Sequence, residues 1–139
     1  MRIAVLTPLP PVKSGIAGYS AVLLPALARR CEVVAVVDQD EVTAPDDVAV
    51  IRLGELLERR GDFDAVYCQL GNNPYHDFIY RYAMEHPSTI VLHDLVMHHL
   101  IVEMTLARGD PEGYIAALRE NHGAAGEAWA RGRAAGSYG

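Results

Sequence analysis

Residues Glu32–Asp38 read EVVAVVD, a run of four valines and an alanine in which no alternate position is polar. β-Branched side chains favour extended backbone. A strand with no polar face must be covered on both sides, and that situation belongs to parallel sheets flanked by helices. The neighbouring sequence supplies what such a sheet needs. Arg2–Thr7 (RIAVLT) is a second short apolar run, and Ala17–Arg30 between the two has helical character. The chain therefore opens as a strand–helix–strand unit.

The alternation continues downstream. Gln39–Asp47 is an acidic, polar loop containing Pro45, Val48–Leu53 reads as a third strand, and Gly54–Arg60 as a short amphipathic helix stopped by Gly61. Asp64–Gln69 (DAVYCQ) is a fourth strand, followed by turn chemistry at Gly71-Asn72-Asn73-Pro74. Tyr75–Glu85 is helical with Phe78, Ile79, Tyr82 and Ala83 on one side, and Ser88–His93 (STIVLH) is a fifth strand. Helical patterns follow at Leu95–Arg108 and Pro111–Asn121, the latter with Pro111 at a favoured first-turn position. Pro25 inside the first helical run is expected to kink or open it. The stretch 122–139 is rich in Ala, Gly and Arg. Its glycines weaken a helix, and Trp129 is its one large apolar anchor before Tyr138.

Doubly apolar strands alternating with helices predict an α/β fold: a doubly wound, mostly parallel Rossmann-like sheet with helices on both faces and right-handed crossovers. One domain over 1–139 is expected. Such a sheet ordinarily has a further strand after these helices, so the sequence reads as truncated. There are no internal repeats and no low-complexity segment.

The totals exclude several classes. The 139 residues are 50% hydrophobic, enough for one core of ordinary size. A formal net charge of -6 argues against nucleic acid, which needs a basic face. No apolar run approaches the roughly 18 residues of a spanning helix. The prolines of MRIAVLTPLPP come too early for a secretory leader, so a cytoplasmic chain is expected. The arginine doublets at 29–30 and 59–60 do not make a membrane-surface patch, and membrane association is possible without being evident. Cys31 and Cys68 are in no metal or redox spacing and read as reduced thiols, with Cys68 a buried small hydrophobe.

In open α/β sheets ligands bind at the carboxyl ends of the strands, which singles out three loops. The first, Thr7–Tyr19, carries Ser14 as a helix cap with Gly15 and Gly18 behind it. Free N–H groups at a helix start suit an anion, and Lys13 could add charge, yet the spacing is neither a P-loop nor the dinucleotide fingerprint. A plain strand-to-helix turn explains it equally well. The second, QLGNNPYHD at Gln69–Asp77, groups Gln69, Asn72, Asn73 and His76, side chains suited to a polyhydroxylated ligand. Turn chemistry explains the asparagines as well, with Asn73 able to cap the next helix. The third is His93-Asp94 directly after STIVL, with His98 and His99 behind it. Asp94 and His98 could share a helix face as an orienting pair. A His beside a carboxylate is more often such a pair than a metal site, and no further ligand set with metal spacing is present. His86 reads as a helix-end residue, and Tyr19, Tyr80 and Tyr82 as packing residues with wet hydroxyls.

RIAVLTPLPPVKSGIAGYS, YCQLGNNPYHDFIY and IVLHDLVMHH, taken together and in this order, resemble the N-terminal domain of a group 1 glycosyltransferase, the retaining class with the two-domain GT-B fold. The resemblance covers about the first hundred residues. It implies an acceptor-side domain facing a donor-binding C-terminal domain that this sequence does not contain. Ser14 and Gly15 would approach the diphosphate of a nucleotide sugar. His93, oriented by Asp94 or a backbone carbonyl, would reach the transferred sugar. Gln69, Asn72, Asn73 and His76 would face the acceptor, whether glycan, lipid or small molecule. The resemblance implies no metal and no cofactor beyond the donor substrate. Where many members have Gly-Gly followed by Glu, this sequence has Ser14-Gly15 followed by Ala17. The family's Glu-x7-Glu motif and its phosphate-binding Arg/Lys pair belong to the other domain, so the chain alone is expected to be inactive. Two rival readings are a nucleotide- or sugar-binding module without chemistry, and a metal-dependent phosphohydrolase built on His93-Asp94. HD pairs of that second kind sit on helices, whereas this one follows a strand.

Overall fold

The apolar run after Met1 forms strand β1 (Arg2–Leu6), in which Ile3, Ala4, Val5 and Leu6 are all buried. Side chains alternate between faces along a strand, so this burial means that both faces of β1 are covered. The same holds for β2 (Glu32–Val37), buried from Val33 onward. Strands β3 (Ala49–Arg52), β4 (Ala65–Leu70) and β5 (Thr89–Leu92) complete a five-stranded, all-parallel sheet in the order β3-β2-β1-β4-β5. The register pairs Ile3 with both Val33 and Ala65, and Gln69 with Val91. This computed structural model describes residues 1–136; Tyr138 lies outside them.

Three helices flank the sheet: α1 (Gly15–Ala28), α2 (Leu53–Glu58) and α3 (Asp77–Glu85). Leu24 of α1 packs in one cluster with Ile3, Val5, Val33, Ala35 and Val37. The β1-to-β2 and β4-to-β5 connections run in opposite directions from the middle of the sheet. Right-handed crossovers therefore place α1 and α3 on opposite faces, giving the doubly wound Rossmann-like arrangement. Strand order reverses between β1 and β4, and the carboxyl ends of those two strands define the crevice of such a sheet. Helix α1 runs unbroken through Pro25 over its 14 residues, contrary to the kink expected there. Pro25 has no N–H to offer the Ala21 carbonyl, so the helix continues through it with one bond fewer.

The chain divides into two compact units. The first comprises Met1–Gly71 and Tyr75–Leu95 and holds the whole sheet; the second comprises Asn72–Pro74 and the chain from Val96 onward. In the second unit the expected helix over Leu95–Arg108 is shorter. Helix α4 spans His98–Met104, Thr105 leaves helical geometry, and Leu106–Arg108 form a 3-10 turn. Its first-turn amide at Leu100 donates to Asn72 Oδ1 at 2.9 Å. Helix α5 (Pro111–Ala134) starts where Asp110 Oδ1 accepts from Gly113 N at 2.8 Å. It runs past Asn121, where the sequence pattern ends, because Gly123 (φ 64°) turns the chain and a second helical stretch follows. Gly126 then lets that stretch lie directly on the Leu118 carbonyl, which a Cβ would strike. Ala130 packs with Tyr114, Ile115 and Leu118, and Glu127 pairs with Arg119 and Arg131. No helix among the described residues is long and apolar enough to cross a membrane.

Leu24 is wholly buried in the α1-facing cluster. Leu24→Ala is expected to lower stability by about 2–5 kcal/mol, read from the urea midpoint. A loss below about 1 kcal/mol would show that α1 does not close that face.

Candidate functional site

The loop after β1 is anchored at both ends. Thr7 and Ser20 hydroxyls, both buried, share a hydrogen bond of 2.7 Å that ties the strand end to α1. Gln39, directly after β2, grips the middle of the loop: its Oε1 accepts from Leu9 N at 2.9 Å and its Nε2 donates to Leu9 O at 2.8 Å. Arg52 at the end of β3 in turn donates to the Gln39 and Asp40 carbonyls. Gln39 and Arg52 were not picked out from sequence. Their position just past a strand end is the signal that could have found them. Ser14 caps α1 as expected, its Oγ accepting from Ile16 N at 3.2 Å. Gly15 faces open space, so a ligand can approach the backbone there.

The ends of β4 and β5 supply the rest. Gln69 and Val91 are register partners, so Gln69 and His93 project from the same face on adjacent strands. His93 Nε2 lies 2.5 Å from Gln69 Oε1. Gln69 is buried, while His93 is exposed and takes the edge of the Tyr19 ring at 5.4 Å between centroids. The Gln69 side chain is thus an orienting partner of His93, one that the sequence reading did not name. The main chain of Gln69 binds a second imidazole: His76 Nδ1 is 2.8 Å from Gln69 O. His76 is wholly buried, and its Nε2 has no hydrogen-bond partner. Burial pushes the His76 pKa below the ordinary value, with His93 acting in the same direction, while the Gln69 carbonyl and the Asp94 carboxylate oppose it. Gly71 closes the group. A Cβ there would strike Ile16 Cδ1 and stand 3.0 Å from His76 Nε2 and 3.4 Å from Asp94 Oδ2.

Ser14, Gly15, Gln69, His76, His93 and Asp94 therefore all belong to the first unit, with Tyr19 and Ile16 of α1 touching the groups at the ends of β4 and β5. Asn72 and Asn73 belong to the second unit, where Asn72 serves α4. The residue at the start of α3 is His76, not Asn73. Asp94 precedes α4 by several residues, so it does not share a helix face with His98. His98 instead binds the Tyr114 hydroxyl at 2.8 Å and lies against Trp129, and burial lowers its pKa. His99 is exposed beside Glu103. His86 caps the end of α3 through its N–H to Tyr82 O, and the Tyr82 hydroxyl is buried, not wet.

No protein-family model, curated protein or solved structure matches this chain. The chemistry of this edge is read from its own side chains. It offers a capped helix start open to an anion, an exposed imidazole held in one orientation, and a carboxylate nearby. Among the described residues no three His, Cys, Asp or Glu side chains form a group that could hold a metal ion.

Gly71 and Gly18 provide a contrast. Gly71→Ala is expected to cost about 1–3 kcal/mol by overpacking. Gly18, a helical position with open space at its Cβ, should gain roughly 0.5–1 kcal/mol as Ala. Thermal denaturation of the two variants checks the difference in sign. The depressed His76 pKa has its own consequence. The unfolded chain takes up the proton first, so stability is whole above about pH 6.5 and falls as pH drops below it. His76→Asn removes the titration, so its urea midpoint should fall less than the wild type's between pH 7.5 and 5.5. Equal losses would show that His76 is not the group responsible.

Proposed function

We propose that this chain is the acceptor-side domain of a retaining glycosyltransferase that moves a sugar from a nucleotide diphosphate sugar to an acceptor hydroxyl. One observation carries the reading: the first turns of α1 meet the residue that follows β5 at the carboxyl edge of the sheet, Tyr19 lying against a His93 already bound by Gln69 of β4. An anion-accepting helix start and an exposed, oriented imidazole are the two features that a sugar diphosphate requires from one side of a cleft.

In this reading Gly15 presents its backbone N–H and Ser14 its hydroxyl to the donor diphosphate, the Ser14 N–H being held by the Val12 carbonyl at 3.0 Å, and His93 touches the sugar near the reacting centre with Asp94 beside it. Gln69 and His76, named in the sequence as acceptor contacts, lie behind His93 and act through it. Asn72 and Asn73 stay candidates for the acceptor side. Cationic groups that neutralise the leaving diphosphate come from a partner domain. The acidic net charge supports a small-molecule, lipid or glycan acceptor over nucleic acid, and two free cysteines suit a cytoplasmic setting.

In a protein carrying both domains, His93→Ala should lower kcat at least ~100-fold with an unchanged circular dichroism spectrum. Turnover within about twofold of wild type would favour a binding module without chemistry. The 139-residue chain by itself is expected to turn over no donor, and steady release of nucleotide diphosphate from it would overturn the division of labour proposed.

A further inference from the structure

A glutamine buried in the last turn-in of a strand ordinarily satisfies itself against neighbouring backbone. Gln69 does something different, because each of its two oxygens faces a histidine from a separate segment. Its carbonyl oxygen faces His76 Nδ1 at 2.8 Å, and its side-chain Oε1 faces His93 Nε2 at 2.5 Å. Both oxygens are acceptors only, so each imidazole must donate to them. A neutral imidazole carries one N–H, and the atom that donates decides which nitrogen keeps its lone pair.

We propose that Gln69 is a positioning residue that fixes the tautomers of two histidines at once. It holds His93 as the Nε2–H form with Nδ1 bare, and His76 as the Nδ1–H form with Nε2 bare. The two outcomes differ in use. His76 is wholly buried and its bare Nε2 packs against Gly71. His93 is exposed, and Nε2 is the ring nitrogen that it turns to Gln69. The bare nitrogen of His93 is therefore an acceptor for a ligand hydroxyl or N–H, and it is a poor partner for a phosphate or carboxylate oxygen. His76 Nδ1–H braces the Gln69 backbone from behind, which keeps Oε1 aimed at His93.

The assignment rests on the proposed glycosyltransferase reading only for what His93 would face, and its test needs no sugar and no turnover. Long-range 15N–1H spectra of the 15N-labelled chain above pH 7.5 should show Nε2–H for His93 and Nδ1–H for His76. In Gln69→Ala the ring N–H of His93 should exchange with water at least about fivefold faster, the factor that an ordinary net hydrogen bond supplies. Gln69→Glu keeps an acceptor at the same reach and should restore the slow exchange. His76 should stay Nδ1–H in both variants, since its partner is main chain, and this reports that the fold is intact. An Nδ1–H His93 in the wild type, or equally fast ring exchange in wild type and Gln69→Ala, would overturn the proposal. Loss of the His76 signature in Gln69→Ala, with the backbone spectrum otherwise preserved, would overturn the bracing role.

Discussion

The double burial of β1 is the constraint on which the rest depends. A central strand with Ala4 and Leu6 on one face and Ile3 and Val5 on the other must have helices on both sides. Covering both faces requires the chain to wind outward from β1 in two directions. Winding in two directions is what reverses strand order between β1 and β4 and separates the loops above them. The crevice at that edge is thus a by-product of covering the core. The apolar residues below that edge hold the sheet together, so its polar groups are not needed to build the core.

Gln69 marks where the two demands meet. It occupies a strand in which Val66, Cys68 and Leu70, on the opposite face, are all buried. An unsatisfied amide in that setting would cost about 1–3 kcal/mol. The histidine directly after β5 relieves that cost at Oε1 while gaining a fixed orientation, so packing and site geometry are satisfied by one contact. The second unit solves a comparable problem by other means. The Tyr114 hydroxyl, buried under Trp129, is met by His98, and Arg133 sits over the indole face.

Strands were legible because their signal is local: β-branched runs such as Val33–Val37 leave no other covered conformation. Ser14 was legible for the same reason, since a cap acts on its own next turn. The placement of His93 followed from its being one residue past an apolar run. The pairing of Gln69 with His93 was not legible, because it depends on which residues of β4 and β5 stand side by side, a register that neither strand encodes alone. The late start of α4 was hidden for a related reason. Leu95, Val96 and Met97 continue a helical pattern, but the first-turn amide that must be satisfied is met by Asn72, distant in sequence. Helix α5 outran its pattern because Gly123 and Gly126, read singly as helix weakeners, serve a turn and a close contact.

The grip of Gln39 on Leu9 has a consequence for how this edge would receive a ligand. The loop after β1 is joined to the loop after β2 by paired hydrogen bonds, and Thr43 N adds another to Pro10 O at 2.7 Å. At its far end the Thr7–Ser20 bond fastens it to α1. A loop held at so many points has little conformational freedom left to surrender when something docks on it. Recognition at Ser14 and Gly15 would then resemble a key meeting a rigid lock. Any closing motion about this edge must come from an element other than the proline-rich loop itself.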